Sequence, residues 1–209
     1  MTATSQPRRL RADAARNRKL LLDAAAAAFA EQGTEVSIAE IAQRAGIGKG
    51  TVFRHFPAKE NLIAAIIRAR LDELSEAGAA LLDAADPTAA LTEFMRLGAE
   101  LQARDHSVCQ AAIGLIHDDA EAQAAADRLT RTAEALTERA QRHGGIRDDV
   151  TGQDIILLLR GAYQAAAPLA HAAPELWRRY LAVVIDGLRP AAAQPLPGPV
   201  PGRSPTVRP

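Results

Sequence analysis

Three basic side chains, Lys49, Arg54 and His55, stand close together in the stretch SIAEIAQRAGIGKGTVFRHFPAKENL, residues 37–62. Cations grouped on a short exposed helix bind an anion, and the pattern around them points to the phosphates and base edges of DNA. The stretch reads as two short helices joined by a glycine-containing turn, the helix-turn-helix layout in which the second helix enters the major groove. Ser37 and Glu40 have the spacing of a capping box, so the first helix starts at Ile38. Ile38, Ile41, Ala42 and Ala45 make one apolar stripe, and Gly46 supplies a left-handed residue that stops the helix. The second helix restarts behind Gly48. Pro57 pushes Phe56 out of helical geometry, which leaves the helix about two turns long.

The elements around this stretch are helical as well. Aromatic residues make up 3% of the 209-residue chain, alanine is abundant and alternating β-branched runs are missing, so the fold class is all-α. The formal net charge is zero, yet residues 1–60 carry 10 Lys and Arg against 6 Asp and Glu, leaving a basic head on an acidic remainder. Cys109 is the only cysteine, so no internal disulfide forms. No segment approaches the roughly 20 apolar residues of a membrane span, and the expected location is the cytoplasm. No membrane partner, metal or cofactor is expected.

The chain divides at its changes of composition. Residues 1–12, polar and basic, read as a flexible arm. Residues 13–59 form the helix-turn-helix domain, with a first helix that Gly33 ends after Gln32. Residues 60–189 form a helical bundle for ligand binding and dimerisation, with helices over 60–84, from Pro87, 107–117, 119–143, 151–172 and 174–188. Residues 190–209 hold 7 prolines and read as a disordered tail. IILLLRGAY, residues 155–163, is apolar nearly all round, and the last helix carries apolar residues on more than one face. That surplus fits either a central core pair or burial against a second copy of the chain.

The arm, the first helix ending in FAEQG, SIAEIAQRAGI and KGTVFRHFPAKENL together resemble the DNA-binding head of the TetR family of bacterial transcriptional regulators over roughly residues 14–65. The resemblance implies a homodimer built by the last two long helices and a double-stranded DNA operator, near-palindromic, as partner. It puts Lys49, Gly50, Thr51 and Phe53 on the face that meets bases and sugars, with Lys49 the reader of guanine. It assigns Ser37, Thr51, Arg54, His55 and Lys59 to phosphates, with the arm arginines Arg8, Arg9 and Arg11 either adding to them or entering the minor groove. Two positions depart from the family pattern: Phe53 replaces a usual tyrosine and so lacks its hydroxyl, and Gly48 stands where Ser or Thr is frequent, which weakens the N-cap.

In the bundle the resemblance implies a pocket for an unknown small molecule. Phe94, Met95, Leu101, Cys109, Gln110, Ile113, His117, Tyr163 and Gln164 are its candidates, although each also reads as an ordinary core residue. Arg160, inside ILLLRGAY, needs an acceptor, and a structural ion pair is expected. His106 and Cys109 at i, i+3 and His117 before two aspartates hint at catalysis, but no phosphate loop, nucleophile elbow or paired metal motif accompanies them, and no enzyme activity is expected. The reading is a ligand-responsive dimeric repressor. The alternative is a DNA-binding protein without a ligand, whose bundle only dimerises or docks a protein.

Overall fold

Alanine-rich segments with few β-branched residues pair their backbone groups locally, and helices account for most of the described residues. The computed structural model describes residues 6–116, 118–192, 194–197 and 201, with side chains from residue 16 onward except those of Ile113 and Ala192. Among the described residues there is no strand. The helices are α1 (Gln6–Gln32), α2 (Ile38–Ala45), α3 (Lys49–His55), α4 (Lys59–Leu81), α5 (Pro87–Arg104), α6 (His106–Leu115), α7 (Ala120–Arg142), α8 (Gly152–Ala166) and α9 (Leu176–Gly187). None of them is long and apolar enough to cross a membrane.

These helices gather into two compact units. The first comprises the described residues up to Ala69 together with Asp105–Gln123; the second comprises Arg70–Arg104 with the described residues from Ala124 onward. The contiguous head expected over 13–59 is therefore extended by the first part of α4 and by α6. The reason is apolar surface: α6 packs on α1 and buries Val108 and Ala112, which its sequence leaves without partners of their own. The arm expected over 1–12 is also shorter than its composition suggested. From Gln6 the backbone belongs to α1, with Pro7 just inside the helix start, where a missing N–H is harmless.

The core of the first unit is built from Leu21, Phe29, Ile41, Val52, Leu62 and Ile66, all nearly inaccessible to solvent. In the second unit Leu91, Phe94, Met95, Leu136, Ile155 and Leu159 form the centre of a larger apolar cluster. Here α8 starts directly on α7: a Cβ on Gly152 would lie 2.3 Å from the backbone nitrogen of Glu134, so only glycine allows the approach. The Thr151–Asp154 capping box fixes the same point, and the Glu134 carboxylate accepts the Gly152 N–H at 2.6 Å.

Three further expectations change. The helix predicted over 151–172 ends at Ala166 and continues as a 3-10 turn over Ala167–Leu169, because Pro168 cannot donate to the helical ladder. Arg160 is exposed on α8, so water solvates its guanidinium and burial demands no ion pair. The Pro-rich tail is anchored at its beginning. Arg147 donates to the Gln194 carbonyl at 2.5 Å, and the Asp149 carboxylate accepts the Leu196 N–H at 3.1 Å. The rest of 190–209 lies largely outside the described residues.

Candidate nucleic-acid interface

The recognition stretch is positioned by α2. Ser37 Oγ accepts the Glu40 N–H at 3.2 Å and donates to the Glu40 carboxylate at 2.7 Å, while the Ser37 N–H donates to the same oxygen at 2.9 Å. The Ser37 hydroxyl, followed by its N–H, holds the Glu40 carboxyl below the usual carboxylate range. At the other end Gly46 takes φ 66°, ψ 25°, and its N–H closes onto Ala42 and Gln43. Between these stops Ile38, Ile41 and Ala42 are buried against α1 and α3.

From α3 only Val52 points fully inward; Phe56, just past the helix, adds a second anchor beneath the ring-to-guanidinium contact of Arg18, 5.5 Å from the ring centre. Lys49, Gly50, Thr51, Phe53, Arg54 and His55 are all exposed. The Lys49 ammonium lies 5.6 Å from the centre of the Phe53 ring, which stays 41% exposed. The ring therefore offers apolar surface beside the exposed cations. No carboxylate pairs with Lys49, Arg54 or His55 among the ion pairs of the described residues, which leaves their charge for an external anion.

Two residues nominated from the sequence are already bonded within the protein. The Ser37 hydroxyl has both its hydrogen-bonding roles filled by Glu40. Lys59 donates from Nζ to the Thr34 carbonyl at 2.6 Å in a part-buried position, clamping the turn after α1 to the start of α4. Arg44 is likewise taken by Glu31 at 2.7 Å. The side chains of Arg8, Arg9 and Arg11 lie outside the description.

The residues nominated for a ligand are divided between the units. Phe94, Met95, Tyr163 and Gln164 belong to the second; Cys109, Gln110 and Ile113 sit on α6 in the first; His117 lies outside the described residues. Phe94, Met95 and Tyr163 are core, and Gln164 is exposed. Sequence reasoning missed a cleft of about 450 Å³ in the second unit, among whose walls only Met95 had been nominated. The sequence's one signal there is the glycine pair in HGG, residues 143–145, whose Gly145 lines the cleft.

A capped helix, a left-handed glycine turn and a short, outward-facing basic helix define a helix-turn-helix DNA-binding protein. Comparison with known proteins makes the class specific. Residues 21–66 match the family described as bacterial regulatory proteins, tetR family, and residues 86–190 match the C-terminal domain described as transcriptional regulator SbtR-like. A TetR transcription regulatory protein from Mycobacterium vanbaalenii of known structure is 37% identical, with 86% of this chain and 99% of that one covered and a TM-score of 0.65. The TetR regulator SCO0520 from Streptomyces coelicolor is 28% identical over 84% and 99% of the two chains, with a TM-score of 0.66. The HTH-type transcriptional repressor KstR2 of Rhodococcus jostii is 28% identical over 187 residues, 80% of this chain and 89% of that one. The chain belongs to the TetR family and is a DNA-binding transcriptional regulator.

Proposed function

We propose that the protein is a dimeric, ligand-responsive repressor that lays α3 of each copy in successive major grooves of a near-palindromic operator. The observation that carries this reading is the α3 surface, where Lys49, Gly50, Thr51, Phe53, Arg54 and His55 are presented together on the buried Val52. Lys49 donates to guanine N7 and O6, Phe53 contacts a thymine methyl, and Thr51, Arg54 and His55 hold phosphates. Ser37 and Lys59 contribute by fixing the helix; any phosphate bond they make is secondary to that. Half-site centres then fall about 34–36 Å apart or at a multiple of that distance.

Dimerisation is supported by the apolar side chains left on α8, α9 and the turn between them. Leu157, Leu169, Tyr180 and Val183 are 46, 52, 36 and 64% exposed, and a second copy seated on this surface removes them from water. Ligand response is supported by the relationship to KstR2, described as a repressor and, in a Mycobacterium tuberculosis structure, as a ketosteroid regulator. The burial of Phe94 and Met95 favours the second reading, a bundle that only dimerises or docks a protein; the cleft in the second unit favours the first. Selection of operator sequences from random DNA, by wild type and Lys49→Ala at fixed salt, tests the head. A palindromic site relaxed in the variant supports it, whereas weak sequence-independent binding by wild type sinks it.

A further inference from the structure

Phe56, the residue that follows α3, is buried, and two cationic side chains from different helices border its ring. The Arg18 guanidinium of α1 lies over the ring, 5.5 Å from its centre. The His55 imidazole of α3 stands 6.5 Å away, centre to centre. Both residues are exposed. The shared ring thus brings a cation from α1 to the end of the basic face that α3 presents, although Arg18 is distant from that face in sequence. A guanidinium resting on an aromatic ring is held by the ring's negative face, and its N–H donors stay free for an oxygen acceptor.

The surroundings leave the Arg18 charge uncompensated. Further along α1 the Asp23 carboxylate accepts the Lys19 ammonium at 2.9 Å, and Glu121 pairs with Arg68. Arg18 itself makes no hydrogen bond or ion pair among the described residues. Burial, and after it the charge of Arg68, hold its guanidinium below the usual arginine value. An arginine stays protonated despite such a shift, so the free protein carries a cation that its own fold disfavours. An anion arriving from outside supplies the missing counter-charge, and a phosphate does so with oxygens that match the guanidinium fork. Lys49, Arg54 and His55 likewise lack carboxylate partners among the described ion pairs, so Arg18 extends a surface already suited to a polyanion.

We propose that Arg18 is a further DNA ligand: held by the Phe56 ring beside His55, it bonds a phosphate of the duplex, so that α1 and the end of α3 hold the backbone together. The inference rests on α3 being the DNA-reading helix. Its test is the salt dependence of binding, which counts phosphate contacts and which a side chain that merely covers Phe56 does not move. The full-length chain is titrated with the selected operator and with a random-sequence duplex at several salt concentrations, as wild type, Arg18→Gln and Arg18→Lys. Arg18→Gln should weaken binding to both duplexes and lower the slope of log affinity against log salt by about one for each bound copy, while Arg18→Lys, which keeps the charge, should keep the slope. Where melting shows Arg18→Gln unfolded, Arg18→Met, with an apolar stem left on the ring and no charge, should give the same fall. An unchanged slope in the folded neutral variant overturns the proposal, and so does an equal fall in Arg18→Lys, since charge would then not be the cause. The two duplexes separate the failures. An operator complex whose slope ignores Arg18→Gln removes Arg18 alone; equal wild-type affinity for both duplexes removes the repressor reading, and the slopes on random DNA still decide Arg18. Failure of wild type to bind either duplex overturns both.

Discussion

Replacing Ser37 by alanine separates a residue that builds the reading head from one that touches DNA. The substitution removes the acceptor for the Glu40 N–H at 3.2 Å and the donor to its carboxylate at 2.7 Å, but keeps the Ser37 N–H bonded to Glu40 at 2.9 Å. Loss of an N-cap of this kind costs about 1 kcal/mol, within a range of roughly 0.5–2. For a chain of this size that is a fall in melting temperature of about 2–4 °C. The opening constant of α2 rises about fivefold, since RT is about 0.59 kcal/mol. Ile38, Ile41 and Ala42 stay buried, so α2 remains folded nearly all the time and the population able to bind DNA barely changes. Operator affinity should therefore weaken less than about twofold, with an unchanged salt slope. Ser37→Asn restores an acceptor and should recover the melting temperature. Calorimetry and titration of a labelled operator at several salt concentrations give both numbers. An operator affinity lowered tenfold at constant melting temperature, with a salt slope smaller by about one, would refute the argument and make Ser37 a phosphate ligand.

Other perturbations act on the second unit. Val183→Asp puts a carboxylate on the exposed apolar face of α9, twice in any two-fold dimer; we expect self-association weakened about 100-fold or more by sedimentation, and an unshifted dimer would argue for a different interface. Gly152→Ala forces a Cβ to within 2.3 Å of the α7 backbone and should destabilise by about 2–4 kcal/mol, whereas Gly114→Ala, with nothing within 4 Å, should be neutral or slightly stabilising; comparable melting curves for the two would contradict the packing described. The Arg147 guanidinium, first among its partners, holds the Asp149 carboxyl well below its ordinary value. A folded pKa below the unfolded one of about 3.9 means that the contribution of the ionised Asp149 is fully present above that value and is lost as pH falls through the lower folded pKa. NMR should accordingly find the Leu196 amide bonded from neutral pH down to about pH 4 and released only in stronger acid; release between pH 6 and 5 would show that another group holds this amide.

The legible parts of this fold were those specified by neighbours in sequence. Ser37 with Glu40, Thr151 with Asp154, Gly46 and Pro57 act within four residues, and each stands where its chemistry places it. What the sequence hid was set by distant partners. Nothing in HSVCQAAIGL says that Val108 and Ala112 cover α1 and so join the first unit, and nothing in the acidic and basic residues around Asp149 says that they catch a backbone amide 47 positions later. Arg160 misled for the same reason: an arginine in an apolar run looks buried on paper, but helical periodicity turns it outward with Leu157 and Gln164. The candidate ligand residues, chosen by helix position, included side chains such as Phe94 that the core needs for itself.

Within the head, the polar residues divide by where their hydrogen bonds go, and the division bears on recognition. Ser37, Arg44 and Lys59 bond partners within the head, Glu40, Glu31 and the Thr34 carbonyl; the first caps α2, and the other two tie α2 to α1 and α4 to the turn after α1. Lys49, Thr51, Arg54 and His55 project from a helix whose only fully buried side chain is Val52. A helix this short cannot hold itself together in water, because nucleation is unfavourable and too few bonds follow. Its position depends on Val52, on Phe56 under Arg18, and on a well-capped α2 behind it. Phe53 then has a role that a tyrosine would share only in part: its ring supports the Lys49 ammonium from 5.6 Å and leaves an apolar edge for a methyl group, with no hydroxyl to bond a phosphate. On the proposed reading, base selection in this head leans on Lys49 and on shape, and the phosphate contacts that set affinity fall to Thr51, Arg54 and His55.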